Sequence, residues 1–341
     1  MHAAVKLGRW LFAVALCCGA LWATNARAIA APSNCTANKV TSGGTTGAMA
    51  LGATFEPTAL MPGGVVSAVI TGTCKNLSGA SPGTVTLTFN AGTYYSSGFG
   101  YRGILCALCA GPSPYNTLYY QLFKTDGITP LSSGGTVVLT CSTGDCTSGG
   151  AGTYSYTFYG QLAQPVATTS LNDSQVGSYT DTAMTINVTG AGDTSPATVT
   201  VSMSGSAAQS CTIGTGSNIA FGAYNPVSLA GVTNATGSVV VTCTRSSSGV
   251  TLTLSGGNNG GNATAPSTRA MKGASFSNYI SYDVFEDAGY ATRFPTTAVA
   301  ESIAGGITAP SSLSLFGQIP SLAQDVNVDA YSDLITATVN F

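Results

Sequence analysis

Short β-rich runs, most of which alternate apolar and polar residues, recur along the chain and are separated by segments rich in Gly, Ser, Pro and Asn. Four such runs are GVVSAVITGTC (64–74), GTVTLTFNAG (83–92), TLYYQLFKTDG (117–127) and GTYSYTFYGQL (152–162). A period of two in runs dominated by Val, Thr, Tyr and Phe is typical of half-buried β-strands. No segment keeps a convincing 3.6-residue apolar period over three turns. The pattern therefore predicts an all-β protein, and runs this short favour two packed sheets over a closed barrel.

The second half of the sequence repeats the first. Five blocks recur in the same order: VITGTCKN as VVVTCTRS, TVTLTFNAG as VTLTLSGG, YYQLFKTDG as SYDVFEDAG, FYGQL as LFGQI, and GSYTDTAMTINV as DAYSDLITATVNF. Each half also opens with a cysteine, Cys35 or Cys211, and has another at the end of a predicted strand, Cys74 or Cys243. We therefore expect two homologous sandwich domains, each with one disulfide between its first two strands, Cys35 to Cys74 and Cys211 to Cys243.

The N-terminal residues are typical of a secretory signal peptide. Lys6 and Arg9 precede an apolar run from Trp10 to Trp22, and a small-residue cleavage pattern ends at Ala28. We expect cleavage there, with Ala30 as the alternative, and export through the periplasm to the cell surface. The expected organisation is a signal peptide over 1–28, an N-terminal domain over 29–190, a linker over 191–210 and a C-terminal domain over 211–341.

The few charged residues and the lack of a usable histidine exclude several classes of function. Charged residues make up only 7% of the chain, with 11 basic and 13 acidic residues, so we expect no nucleic-acid partner. The single histidine, His2, lies in the leader, which leaves no Ser-His-Asp or Cys-His arrangement and no histidine-ligated metal. The adjacent Glu286 and Asp287 would point to opposite faces of a strand, so they are a poor acid–base pair. We expect neither an enzyme nor a cofactor.

Four further cysteines lie in the first half, at Cys106, Cys109, Cys141 and Cys146. An even number of cysteines in an exported chain predicts disulfides. The spacing of Cys106 and Cys109 also occurs in thiol oxidoreductases, but there the motif opens a helix, and here the surrounding sequence is typical of loops. The structural alternatives are a local Cys106–Cys109 bridge or bridges from this pair to Cys141 and Cys146.

A family resemblance is carried by five stretches of the second half: CTIGTGSNIAFGAYNP (211–226), GSVVVTCT (237–244), NYISYDVFEDAG (278–289), LSLFGQIP (313–320) and AYSDLITATVNF (330–341). Residues 211–341 resemble the spore coat protein U domain, the fold of pilin subunits in archaic chaperone-usher pili. The first half matches more loosely, with long insertions and four extra cysteines. The whole chain resembles the two-domain tip adhesin subunit of such pili.

The resemblance implies immunoglobulin-like sandwiches, of which the C-terminal one lacks its last strand because the sequence ends at Phe341 within LITATVNF. An open sandwich exposes apolar surface and an unpaired edge, which a polymerising subunit can use. The implied partners are a periplasmic pilus chaperone that holds the groove, an outer-membrane usher, and the next pilus subunit, whose strand fills the groove.

The segment ATVTVSMSGS precedes Cys211, where this family carries its donor strand. Val199, Val201 and Met203 share one face at a period of two, so we predict that Ala197 to Ser204 completes the N-terminal domain in cis. The alternative is an ordinary linker. Only about six residues separate the expected cleavage site from Cys35, too few for another donor strand. We therefore expect this subunit at the distal end of a fibre.

Bulky apolar residues within Gly- and Pro-rich sequence are the candidate adhesive residues. They either cap the core or form an exposed contact surface at the pole away from the C-terminal domain, which would attach to an abiotic or host surface. The rival functions are a secreted spore-coat or matrix component and, from another class, a carbohydrate-binding protein. The candidates are Leu60, Met61, Tyr94, Tyr95, Phe99, Tyr101, Ile104, Leu105 and Leu108.

Overall fold

The computed structural model of the chain describes residues 35–52, 55–75, 84–97, 100–110, 114–140, 151–190, 195–227, 232–301, 303, 305–320 and 324–341. These residues form an all-β protein, as the alternation predicts. In the described part of the chain, helical structure is limited to two single-turn 3-10 helices, Pro57–Ala59 and Gly260–Asn262. No helix there is long and apolar enough to cross a membrane.

The described residues of the first half form thirteen strands, which belong to one continuous sheet. They are β1 Cys35–Ser42, β2 Thr45–Thr46, β3 Ala48–Ala50, β4 Val66–Lys75, β5 Thr84–Phe89, β6 Tyr94–Ser96, β7 Tyr101–Leu105, β8 Thr117–Phe123, β9 Pro130–Leu131, β10 Gly135–Thr140, β11 Ala151–Leu162, β12 Gly177–Gly190 and β13 Ala197–Ala207.

This sheet folds over on itself into two layers. One layer has the order β10-β5-β12-β13-β3 and the other the order β7-β8-β11-β4-β1-β2, and the single pair Thr180–Leu105 joins them. A continuous core lies between the layers and includes Leu87, Phe158 and Ile186, all fully buried. Strand alternation places these side chains on the inner faces.

The second half contains β14 Cys211–Ser217, β15 Thr233–Cys243, β16 Thr251–Leu254, β17 Arg269–Gly273, β18 Tyr279–Phe285, β19 Val299–Ala300, β20 Ser311–Ile319, β21 Tyr331–Ser332 and β22 Ala337–Asn340. One sheet has the order β14-β15-β20-β18-β17-β21, and the other has three strands in the described part of the chain, β19-β16-β22. A core that includes Leu252, Val284 and Ile319 lies between them.

The sequence repeat is also a structural repeat. By the sequence repeat, β12 and β22 correspond to each other. β12 pairs with residues Thr86 to Phe89 of β5, and β22 pairs with residues Thr251 to Leu254 of β16, so these two segments are equivalent. In each half a disulfide with a Cα–Cα distance of 4.0 Å bridges the first strand to a strand that pairs with it, Cys35–Cys74 between β1 and β4 and Cys211–Cys243 between β14 and β15. These are the pairs that the repeat predicts.

Candidate strand-acceptor groove

The segment before Cys211 is a strand of the first half. β13 pairs with β12 in antiparallel register, from Ala207 opposite Gly177 to Ala197 opposite Val188. Its residues Ser202 to Ser204 also pair in parallel with β3. Val201 and Met203 are fully buried in the first core, and Val199 packs against it half-buried. The structure is therefore that of a completed sheet, and residues 197–204 are not an exposed tether.

The equivalent place in the second half is empty among the described residues. β22 pairs with β16 on one side, and no described strand pairs with its other edge. Register makes Ala337 and Val339 the counterparts of Ile186 and Val188, which face the first core. The first-half residues are fully buried, whereas Ala337 and Val339 are only half-buried. The difference follows from the presence of β13 in one half only.

An apolar groove runs along this open side of the second half. It consists of two adjoining cavities of about 560 and 610 Å³ between the segment after β14 and the segment that carries β21 and β22. Its lining includes core side chains that would otherwise be covered, namely Ile219, Phe221, Met271, Ile280, Leu315 and Tyr331. A surface of this kind is costly to leave exposed to water and favours an apolar occupant.

Polar residues beside the groove fix the segment between β21 and β22 to β18 and to the loop that contains Asn259. The Tyr282 hydroxyl donates to Asp333 Oδ2 at 2.8 Å, and Asn259 Nδ2 donates to Asp333 Oδ1 at 3.1 Å. Burial raises the pKa of the Tyr282 phenol, and the Asp333 hydrogen bond raises it further, so this tyrosine stays a neutral donor. These contacts fix the strands without adding a reactive group. Among the described residues, no cluster of His, Cys, Asp and Glu could hold a metal ion.

A buried arginine is a feature of both halves that the sequence analysis missed. Arg102 pairs in register with Tyr120, as Arg269 does with Tyr282, and each arginine Nε donates to the carbonyl that follows the equivalent strand, Asn90 or Ser255. Burial lowers the pKa of both guanidinium groups. The signal was available in the sequence, because YRGIL and TRAMK carry Arg just before the repeated tyrosine strand.

The remaining cysteines are only partly described. Cys106 and Cys109 form a local disulfide, one of the two alternatives above, while Cys141 and Cys146 lie outside the described residues. Both sulfurs pack against the backbone of Gly177, at whose position a Cβ would lie 2.9 Å from Cys109 Sγ. The bridge therefore closes the β7–β8 loop on itself and packs it against the beginning of β12.

The candidate adhesive residues do not form one exposed group. The prediction of a loop is wrong for five candidates that lie in β6 or β7, of which Ile104 is also fully buried in the core; the five are Tyr94, Tyr95, Tyr101, Ile104 and Leu105. Tyr94, Tyr101 and Leu105 are half-buried in the β6–β7 hairpin, and Phe99 lies outside the described residues. The exposed candidates are Leu60 at 42%, Met61 at 63%, Tyr95 at 43% and Leu108 at 98%.

The expected position of these residues at the pole away from the second half is also wrong for three of them. Leu60 and Met61 follow Thr58, whose hydroxyl bonds to Ser210 at the junction with the second half. Leu108 lies in the loop closed by the Cys106–Cys109 disulfide; Cys109 Sγ contacts the Val176 carbonyl, and the Val176 amide donates to the Arg245 carbonyl of the second half. Gly and Pro punctuation indicated loops correctly here, but sequence alone did not show at which end of the domain they lie.

The chain is similar to several solved pilus proteins. A chain of the CsuC–CsuE chaperone–tip adhesion subunit pre-assembly complex from archaic chaperone-usher Csu pili of Acinetobacter baumannii has 15% identity, with 90% of this chain and 100% of that chain covered and a TM-score of 0.46. The CupB6 tip adhesin of Pseudomonas aeruginosa has 12% identity, coverages of 90% and 94%, and a TM-score of 0.31. The CooA pilin subunit of enterotoxigenic Escherichia coli has 16% identity, coverages of 52% and 98%, and a TM-score of 0.32.

No curated protein matches the chain in sequence. Residues 196–338 match the family model of the Spore Coat Protein U domain, and this part of the chain is therefore similar to that domain.

Proposed function

We propose that this protein is the two-domain tip adhesin subunit of an archaic chaperone-usher pilus, whose second half joins the fibre by accepting a strand from the next subunit. The observation that carries the proposal is the contrast between two equivalent strands. β12 is covered by β13 of the same chain, whereas the outer edge of β22 borders an open apolar groove. An unpaired edge beside apolar pockets is the geometry that strand addition uses.

The place at the tip is supported by the position of β13. The Spore Coat Protein U match begins at residue 196, so it includes β13, yet β13 packs into the first half. The segment that could reach into a neighbouring subunit is thus already used inside the chain. We propose that the chain accepts a strand through its second half and keeps β13 for itself.

The proposal includes the partners and the place of action. A periplasmic chaperone would fill the groove until an outer-membrane usher directs its exchange for the strand of the next subunit. After export to the cell surface, the first half would attach to an abiotic or host surface and promote biofilm formation. The exposed apolar side chains Leu60, Met61, Tyr95 and Leu108 are the described candidates for this contact.

Hydrogen–deuterium exchange on the full chain tests the acceptor role. The probe is a synthetic peptide that copies residues 195–207, and its control carries Asp at the positions of Val201 and Met203. We expect the first peptide to protect β22 and the segment 219–224, and to stabilise the second half by about 2.7 kcal/mol at a hundredfold excess over Kd.

Two neighbouring variants sharpen this test. Met271 lines the groove, whereas Lys272 is exposed on the same strand. Met271→Asp should abolish peptide protection, and Lys272→Asp should leave it unchanged. Equal protection of β22 with either peptide, or with none, would contradict an acceptor role.

A further inference from the structure

We infer that the two halves are held in one fixed orientation by a buried polar contact centred on Asp173, and that the segment 208–210 between β13 and β14 is not a flexible hinge. Polar interfaces between domains usually permit relative motion. A fixed orientation therefore needs contacts that a small rotation would break at a high cost. The junction contains such contacts.

Asp173 belongs to the first half but bonds to the second. Its side chain is completely buried, and its carboxylate accepts hydrogen bonds from Arg245 Nη2 at 2.5 Å, Thr308 Oγ1 at 2.5 Å and the Ile307 amide at 2.9 Å. All three donors lie across the junction. A small rotation between the halves would break these bonds while the carboxylate remained shielded from water, which is strongly unfavourable.

The second half is shaped to admit this carboxylate. Gly306 has a φ of +72°, and a Cβ at its position would lie only 2.2 Å from Asp173 Oδ1. The guanidinium group of Arg245 also stacks on the ring of Tyr115 in the first half, 3.8 Å from the ring centroid. Stacking and the carboxylate bond together leave Arg245 little freedom.

Further hydrogen bonds flank the Asp173 contact. The Val176 amide donates to the Arg245 carbonyl at 2.9 Å, and Ser246 Oγ donates to Gln175 Oε1 at 3.1 Å. On the linker itself, Ser210 Oγ lies 2.6 Å from Thr58 Oγ1, at the end of the first half. Rotation about the linker would therefore disturb several bonds at once.

Nitrogen-15 relaxation of the full chain measures this directly. Strand amides of β4 and β11 report the rotational correlation time of the first half, and those of β15 and β20 report that of the second. We expect one shared correlation time in the wild type. In Asp173→Ala the two times should separate, with both becoming shorter than the wild-type value because each half then tumbles partly alone.

Asp126→Asn is the matched control. Asp126 also accepts three hydrogen bonds, from the Ile128 and Thr129 amides and from Thr129 Oγ1, but all lie in one exposed turn of the first half. This variant should keep a single correlation time. Gly306→Ala disrupts the same contact from the side of the second half. It should separate the two rotational correlation times even if Asp173→Ala perturbs the folding of the first half.

Two results would overturn the inference. One is a wild-type chain whose halves already tumble with different correlation times. The other is a single shared time that survives in both Asp173→Ala and Gly306→Ala, which would mean that the orientation does not depend on this contact.

Discussion

The two halves of this molecule repeat the same strands, but only one of them is closed. In the first half, β12 lies between β5 and β13, and its inward residues Met184, Ile186 and Val188 are fully buried. In the second half, β16 is the one strand among the described residues that pairs with β22, and the inward residues of β22 remain half-buried. The comparison shows that one added strand decides whether this fold has a finished core or an open groove.

The largest effect is expected from breaking the closed half. Val201→Asp would place an unpaired carboxylate in the first core and should destabilise that half by about 3–5 kcal/mol. Thr200→Asp is the control, because Thr200 is the exposed neighbour on the same strand. Chemical denaturation of the full chain measures both. Similar losses in the two variants would mean that β13 does not fill the first half in solution.

The disulfides provide a second comparison, since both halves have the same bridge. Replacing Cys211 and Cys243 by Ser should destabilise the second half by roughly 3–4 kcal/mol in the chain-entropy model. The same change at Cys35 and Cys74 should act on the first half by a similar amount, because the loops span 32 and 39 residues. Thermal unfolding followed separately in each half checks this. If mass mapping instead finds a bridge between the halves, the comparison fails.

The open half can also be closed by design. A copy of residues 195–207, appended after Phe341 through a short Gly-containing turn, should raise the unfolding temperature of the second half. Each large apolar side chain that enters the groove contributes about 1.5–3 kcal/mol before the cost of ordering the strand. A copy with Thr in place of Val201 and Met203 is the control. No rise with the first copy would show that the grooves of the two halves differ.

The smallest effect on stability is expected at the exposed apolar residues of the first half. The triple variant Leu60→Ser, Met61→Ser and Leu108→Ser should change the free energy of unfolding by no more than about 0.5 kcal/mol per substitution, since a single surface substitution seldom does more. Surface attachment, measured by binding to a hydrophobic support, should nevertheless fall. Val138→Ser is the control, because Val138 is exposed to nearly the same degree as Met61, at 61% against 63%, but lies on β10. Unchanged attachment in the triple variant would exclude these three side chains from adhesion.

Much of the fold could be predicted from local sequence because a period of two determines which side chains face a sheet. The runs at 83–92 and 152–162 correspond to β5 and β11, and the alternation in 197–204 indicates the buried face of β13. β8 is different, since six of its seven residues are buried and its sequence does not alternate. Its strand character followed from its β-branched and aromatic composition and from the repeat.

The remaining features depend on distant parts of the chain. The segment from Tyr94 to Leu105 has the Gly-rich composition of a loop. Arg102 of β7 nevertheless donates hydrogen bonds to the distant backbone carbonyls of Leu131 and Ser132, and these bonds hold β7 in the sheet. Asp173 and Arg245 are 72 residues apart, and neither stands in a motif that marks it as a junction residue. Pairings of this kind depend on how the layers pack, which alternation does not encode.

The direction of β13 has a mechanical consequence. The strand begins at Ala197 opposite Val188, runs antiparallel to β12 to Ala207 opposite Gly177, and continues within four residues to Cys211. A pull on the second half, with the first half held at its far end, acts along the axis of β13. Its interstrand hydrogen bonds lie across that axis and are loaded together in shear, whereas a pull across the strand would open them one after another. The strand that completes the first core is thus oriented to keep the two halves attached under tension.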